Sequence, residues 1–429
     1  MNIAMFTNTY IPHVGGVARS VSTFTEDLRQ RGHRVLVIAP EYSAEGDTSA
    51  EEDDVIRIPA IQNFNGSDFS MRIPVPFLIE EKLDAFGPDL IHSHHPYLLG
   101  DTALRIARKQ SLPIAFTHHT LYEKYTHYVT EDSESLPKFV KHLSTEYANL
   151  CDQIIAPSES IKQLISSRGV KRPVEVVPTG VDVNFFSQGD GADMRRRLGI
   201  PDGATVIGHL GRLAPEKNIP FLVDSILLAM EDISDSHFLV VGEGPNEAEI
   251  RMRFSDTSLE ERLHMAGKRT GADLADAYHA MDFFVFASKT ETQGLVLAEA
   301  MAAGKPVIAL DASGSREVVE DQVNGRLLPV DAPKSQFAQA VREMASNATM
   351  AAEWSENARQ TAKRFSRNAS LNQLLDLYEN MRAEKMRKKT LEAVEEGPLE
   401  ELRRRIKAEW DLAAEKMAAL TRTAREDPE

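Results

Sequence analysis

Short apolar and β-branched runs alternate along the chain with longer segments in which apolar positions recur every three or four residues. Ile3–Thr7, Arg34–Ala39, Val55–Ile58, Asp89–Ser93, Pro113–Thr117, Gln153–Ala156 and Val174–Val177 read as strands in the first half. Amphipathic segments such as Gly16–Arg31 and Lys138–Leu150 lie between most of them and predict helices. The second half repeats the scheme with Ala204–Leu210, His237–Val241, Leu263–Ala266, Asp282–Ala287 and Val307–Leu310. Its helices include Asn218–Met230, Ala272–Ala280 and Gly294–Ala303. Strands that alternate with helices predict parallel sheets covered on both faces. Two such halves predict an α/β protein of two Rossmann-like, doubly wound domains facing a cleft. Ligands then belong at the carboxyl ends of the strands.

The first domain is expected to span residues 1–180, because a strand ends at Val177 and is followed by Pro178, Gly180 and a polar stretch through Gly191. The second spans 181–365. A helix follows over 366–385, with Leu371, Leu374, Leu375 and Tyr378 on one face. Residues 386–429 form a charged tail. Between Met381 and Glu429 there are 12 basic and 12 acidic residues, so the formal charge of −16 resides in the rest of the chain. After the break at Gly397-Pro398, Leu399, Leu402, Ile406, Trp410, Met417 and Leu420 recur at helical spacing. Three roles are open to this amphipathic helix: packing on its own domain, a coiled coil that makes a homodimer, or a membrane-surface helix. Its mixed-sign polar face weakens the last, since membrane-surface helices favour Lys and Arg there.

Composition narrows the function. A chain of charge −16 is no general nucleic-acid binder. One cysteine, Cys151, makes neither an intramolecular disulfide nor a multi-cysteine zinc site and fits a reducing compartment. There is no run of about 18 apolar residues, and Met1–Tyr10 lacks a basic leader, so the expected location is cytoplasmic.

Four polar elements sit at strand ends. Ser288–Pro306 carries Glu291 in a turn and Glu299 in a helix that begins near Gly294, where backbone N–H groups of Gly294 and Leu295 suit a phosphate. A carboxylate accepts two hydroxyl hydrogen bonds, as a sugar or ribose requires. Taken alone, a solvated turn Glu and a surface helix Glu explain the pair as well. Gly208–Asn218 offers Arg212 and Lys217, a fork donor and a point charge of the kind that bind a diphosphate, though an ordinary loop with surface salt bridges accounts for one Arg and one Lys as well. Tyr10–Val17 contains Gly15 and Gly16 before a helix; they fit close approach of an anion or sugar, or merely a turn needing positive φ. Thr117–Tyr128 gathers His118, His119, Tyr122, Glu123, Tyr125, His127 and Tyr128 after a strand.

In this order the motifs resemble the family-4 retaining glycosyltransferases of the GT-B fold. Glu291-x7-Glu299 resembles the family signature, and Gly211-Arg212 with Glu216-Lys217-Asn218 its diphosphate loop. Gly15-Gly16-Val17 resembles its acceptor-side glycine loop, and Thr179-Gly180-Val181-Asp182 its interdomain segment. The match covers residues 1 to about 380, and the branch it resembles in motif is diacylglycerol glucosyltransferase.

The resemblance implies an acceptor domain followed by a donor domain, and a hexosyl transfer that retains the anomeric configuration. Arg212 and Lys217 would hold the donor diphosphate, Glu299 the ribose and Glu291 the sugar. Gly294 and Leu295 would touch sugar or phosphate, Lys268 would lie near the base, and Gly16 would approach the diphosphate from the first domain. His119 would hydrogen-bond the donor sugar. Gly15, Gly16, His118, Tyr122 and Glu123 would lie on the acceptor side; the family usually has an aromatic where His118 stands. UDP-glucose and a diacylglycerol-type lipid are the implied substrates, with GDP-mannose and a soluble or polysaccharide-precursor acceptor as the alternative. No cofactor and no metal are expected, because two cations can stabilise the leaving group. A lipid acceptor entails reversible contact with a membrane surface.

Four rival readings remain, one of them a nucleotide-sugar epimerase or glycogen-type transferase that shares the fold. Gly242-Glu-Gly244 starts like a dinucleotide fingerprint, but Glu247 stands where the third glycine belongs. His92, His94, His95, His118 and His119 are possible zinc ligands of a hydrolase, though no carboxylate motif completes a set. A non-catalytic scaffold would be favoured by loss of Arg212 or Lys217, and both are present.

Overall fold

The computed structural model describes residues 1–13, 15–41, 54–61, 71–72, 76–124, 135–392 and 398–426. The chain forms two compact units, Met1–Thr179 with Ser370–Glu429, and Gly180–Ala369. The first contains strands β1 (Asn2–Phe6), β2 (Arg34–Pro40), β3 (Val55–Ile58), β4 (Ala60–Ile61), β5 (Met71–Arg72), β6 (Leu90–Ser93), β7 (Ile114–Thr117), β8 (Gln153–Ala156) and β9 (Val174–Val176). Seven of them make a sheet of order β3-β2-β1-β6-β7-β8-β9, while β4 and β5 pair separately. The second contains β10 (Thr205–Leu210), β11 (Ser236–Val241), β12 (Leu263–Gly267), β13 (Phe283–Phe286), β14 (Val307–Leu310) and β15 (Gly325–Leu328), ordered β12-β11-β10-β13-β14-β15. Every pairing in the two large sheets is parallel.

The strands are apolar throughout because both faces of each sheet are covered. In β1, Ala4 and Phe6 join one core with Ile38, Ile91 and Phe116, while Ile3 and Met5 join the opposite core with Val37, Leu90 and Ala115. The second unit repeats this division, with Val206, Leu239 and Phe284 on one face and Ile207, Val240 and Val285 on the other. Successive strand residues point to opposite faces, so a doubly covered strand has no polar alternation to show.

The helix Arg367–Glu392 completes the first unit. Leu371, Leu374, Tyr378 and Met381 recur at intervals of three and four and enter the core with Ile3 and Met5. Arg382 pairs with Asp89 at 3.1 Å. The next helix, Pro398–Glu426, packs on the helices Leu99–Lys109 and Ser135–Leu150 of the same unit. Leu412 and Ala419 form its inner face, with ion pairs from Lys416 to Asp101 (2.9 Å) and Arg422 to Glu146 (2.8 Å). Ile406, Trp410, Met417 and Leu420 point outward, and Trp410 is 75% exposed. The apolar stripe visible in the sequence is therefore the solvent face, and the packing face is the less apolar one. The side chains of Leu399 and Leu402 lie outside the described residues.

Glu415 lies on that inner face at 4% exposure, and neither of its carboxylate oxygens has a hydrogen-bond partner among the described residues. Burial pushes its pKa from 4.5 to about 9, reinforced by Asp101 and Glu146 and opposed by Lys416. The folded chain thus holds a proton that the unfolded chain releases above about pH 4.5. This contribution to stability is complete below that pH and is lost as pH rises through about 9. Glu415→Met is expected to remove the dependence and raise Tm at pH 8 by roughly 2–4 °C. Melting curves from pH 5 to 9 test this; parallel curves for both proteins would show that Glu415 is ionised in the folded state.

Candidate functional site

In the second unit the sheet changes direction between β10 and β13. β11 and β12 lie to one side of β10, and β13, β14 and β15 to the other. Connections that leave adjacent strands in opposite directions open a crevice at the carboxyl ends. Two of the polar elements emerge there. The segment after β10 runs through Gly211 and Arg212 to a short turn at Pro215–Lys217 and then the helix Ile219–Met230. The segment after β13 runs through Ser288 and Glu291 to Gly294 and the helix Leu295–Ala302.

The two segments are joined. The hydroxyls of Ser288 and Thr290 each donate to the Glu216 carbonyl at 3.3 Å, and the Asn218 amide donates to the Ala287 carbonyl at 3.2 Å. The Lys217 ammonium forms an ion pair with the Glu291 carboxylate, with side chains only 19% and 17% exposed. The sequence placed these two residues on the site but did not pair them. Arg212 is exposed on the same loop. The segment after β14 adds a wall that sequence reasoning missed. A Cβ on Gly314, whose φ is +82°, would stand 2.6 Å from the Glu291 Cβ, so this glycine lets the backbone close on the turn. Its only sequence signal is a glycine just beyond a strand.

Glu299 is fully buried and accepts a hydrogen bond from the Tyr278 hydroxyl at 2.8 Å, so it is not a surface helix glutamate. Gly294 caps the Leu295–Ala302 helix in the left-handed region and, being a glycine, offers the helix N–H groups no side-chain acceptor of its own. Lys268 is exposed after β12, and its backbone N–H donates to the Glu243 carboxylate at 3.3 Å. Gly242 and Gly244 serve the Arg212 loop. Gly211 N–H donates to the Val241 carbonyl at 3.0 Å and Leu213 N–H to the Glu243 carbonyl at 2.9 Å. A Cβ on Gly242 would lie 1.9 Å from the Gly211 carbonyl oxygen. These glycines allow two loops to pack closely, which explains the partial dinucleotide fingerprint without a dinucleotide.

In the first unit the sheet reverses between β1 and β6. Gly15 and Gly16 follow β1. Gly15 is extended (φ −175°), and Gly16 lies in the helix Gly16–Gln30, outside the positive-φ residues. The turn requiring positive φ is therefore excluded. Among the described residues a Cβ on Gly16 would meet nothing within 4 Å, and the N-cap residue, Gly15, has no side chain to cap the helix. A helix start with this open space suits an approaching anion.

His94 follows β6 and His119 follows β7. The His94 Nδ1 and His119 Nε2 atoms are 2.9 Å apart, and the rings stack with centroids at 5.2 Å. His92 lies behind them, its Nδ1 2.6 Å from the Tyr378 hydroxyl and its Nε2 2.7 Å from the Thr117 hydroxyl. Burial lowers the pKa of both His92 and His119 to about 3, so these rings are neutral at physiological pH. Among the described residues, no three His, Cys, Asp or Glu side chains converge to hold a metal ion.

His118, Tyr122 and Glu123 face inward. His118 is buried beside Phe116 and Tyr122, and burial lowers its pKa to about 4. Tyr122 is buried as well. Glu123 forms an ion pair with Arg168 at 2.6 Å. These side chains support the segment that carries His119, which is partly exposed just after β7. Tyr125, His127 and Tyr128 lie outside the described residues.

Two doubly wound parallel sheets, each with polar segments gathered where its strand order reverses, give the GT-B fold. Residues 14–185 match the model of Glycosyltransferase Family 4, and residues 190–361 that of Glycosyl transferases group 1. The chain belongs to glycosyltransferase family 4. It is 31% identical over 333 residues to the alpha-monoglucosyldiacylglycerol synthase of Streptococcus pneumoniae, covering 76% of this chain and 75% of that protein. It is also 31% identical over 335 residues to a GDP-mannose-dependent alpha-mannosyltransferase of Mycobacterium tuberculosis, covering 77% and 84%. The fold matches the crystal structure of Anabaena HepE in complex with UDP-glucose at a TM-score of 0.70 and 22% identity, over 89% of this chain and 100% of that one.

Proposed function

We propose that the protein transfers glucose from UDP-glucose to a hydroxyl of a diacylglycerol-type lipid, with retention at the anomeric carbon and an α-linkage. The observation that carries this reading is the convergence of the Arg212–Lys217 segment and the Glu291 turn at the β10/β13 reversal. Arg212 and Lys217 hold the diphosphate and stabilise its charge as it departs. Glu291, released from Lys217 by the incoming phosphate, accepts hydrogen bonds from sugar hydroxyls, while Glu299 serves the ribose and Lys268 the base. Gly294, Leu295 and Gly16 offer N–H groups to phosphate or sugar, and His119 hydrogen-bonds the sugar. The bond from the anomeric carbon to the diphosphate oxygen breaks and a bond to the acceptor oxygen forms on the same face. The acceptor proton leaves with the departing phosphate, and two cations do the work that a divalent metal does elsewhere.

The glucolipid synthase from Streptococcus pneumoniae supports the lipid acceptor, and the equally similar mannosyltransferase supports GDP-mannose with a soluble or polysaccharide-precursor acceptor as a second reading. A thermal-shift panel with UDP, GDP, ADP and UDP-glucose, with and without Mg²⁺, separates them. A ligand at 100 times its Kd stabilises the folded state by about 2.7 kcal/mol. UDP and UDP-glucose are expected to raise Tm with or without Mg²⁺; a shift with GDP alone would transfer the assignment to mannose, and no shift with any nucleotide would remove the transferase site.

Among the described residues no helix is long and apolar enough to cross a membrane, so a lipid acceptor must be reached from the membrane surface. The outward stripe Ile406, Trp410, Met417 and Leu420 supports such reversible contact, with Lys407 beside it. Flotation with anionic vesicles is expected to retain the protein and to lose about tenfold binding in Trp410→Ser. Unbound protein that elutes as a dimer, and as a monomer after the substitution, would instead assign the stripe to a homodimer.

A further inference from the structure

We propose that His94 is a positioning residue that donates a hydrogen bond to His119 and thereby makes His119 present an Nδ1–H donor toward the bound sugar. This rests on the reading of His119 as a sugar-binding residue. His94 is fully buried at the end of β6, where its backbone N–H donates to the Phe6 carbonyl at 2.9 Å and fixes it to β1. His119 is partly exposed at the end of β7. One ring nitrogen of each lies 2.9 Å from the other.

Two neutral imidazoles share a single proton across such a contact, which allows two arrangements. In the first, His94 carries its proton on Nδ1 and donates to His119 Nε2. In the second, His119 donates and His94 must carry its proton on Nε2. That Nε2 is buried with no hydrogen-bond partner among the described residues. A buried N–H without an acceptor costs more than an unfilled lone pair, so the first arrangement is selected.

The surroundings hold both rings neutral. His92, His95 and His119 face His94, and His118 is adjacent to His119; burial dominates and each neighbouring imidazole opposes a second charge. A hydrogen bond donated to Nε2 also disfavours protonation of His119 there. With Nε2 occupied, the proton of neutral His119 resides on Nδ1. His119 therefore acts as a fixed hydrogen-bond donor, suited to an oxygen lone pair on the ligand, and not as a general base. Sequence alone gives two histidines 25 residues apart and no proton assignment.

His94→Asn keeps an N–H near the position of Nδ1, while His94→Phe keeps the ring shape without a donor. In the full chain, His94→Phe is expected to lower kcat about tenfold with the acceptor KM within about twofold, and His94→Asn to restore most of the loss. In a His119→Ala background, His94→Phe is expected to add nothing. Equal losses from His94→Phe in both backgrounds would overturn the pairing and leave His94 a packing residue. Full activity of His119→Ala would overturn the proposal together with the sugar-binding role of His119. Long-range ¹H–¹⁵N spectra of the unsubstituted protein give a readout that needs no variant: His119 protonated at Nδ1 is expected, and protonation at Nε2 overturns the assignment.

Discussion

Replacing Lys217 with alanine is expected to lower sugar transfer by about 10²–10³-fold while the chain stays folded. Lys217 stands where a departing diphosphate gathers charge, and its loss removes stabilisation from the transition state. The cost in stability is modest, because the carboxylate left behind on Glu291 is still 17% exposed to water. Glu291→Ala should impair transfer comparably for a different reason, since it removes the acceptor for the sugar hydroxyls. Lys217→Arg supplies a further contrast, because a planar fork does not replace a compact point charge. Steady-state rates with melting temperatures for the three variants test the site. Full activity of Lys217→Ala or Glu291→Ala would remove that residue from the site.

Two glycines are expected to respond in opposite ways to the same substitution. Gly242→Ala places a methyl group 1.9 Å from the Gly211 carbonyl oxygen, at a backbone φ of +134°. Either strain alone costs about 1–3 kcal/mol, so the loops after β10 and β11 must separate. The expected result is a Tm lower by several degrees and loss of the UDP-induced thermal shift, because Arg212 moves with its loop. Gly16→Ala meets no atom within 4 Å among the described residues and adds a better helix former. Its Tm should be unchanged or slightly higher, while kcat/KM falls at least tenfold as the methyl group occupies space needed by the ligand. Full activity of Gly16→Ala would take the first helix N-terminus out of the substrate site.

The parts of the fold that were readable are those whose physics is local. A strand covered on both faces must be apolar along its whole length, as Ile3–Phe6 and Phe283–Phe286 are. Segments leaving such strands carry polar groups, so Arg212, Glu291 and His119 are conspicuous in the sequence without knowledge of their neighbours. β15 was missed because it opens with Gly325, which reads as a turn; there a Cβ would lie 2.0 Å from the Val307 carbonyl oxygen. The pairing of Lys217 with Glu291 joins residues 74 apart, and no periodicity encodes it. The last helix misled for another reason. Its most apolar stripe faces solvent, while the inner face relies on Leu412, Ala419 and a protonated Glu415.

The two-segment construction of the first unit has a consequence during synthesis. Its sheet emerges from the ribosome with Met1–Thr179, but Leu371, Leu374 and Tyr378, which cover one face, follow only after the whole second unit. At about 5–20 residues per second, the intervening stretch takes roughly 10–40 s to translate. For that interval Ile3, Met5, Val37 and Leu90 lack their final cover, and the nascent chain offers chaperones an apolar sheet face. The second unit is continuous in sequence and can close as soon as it is released.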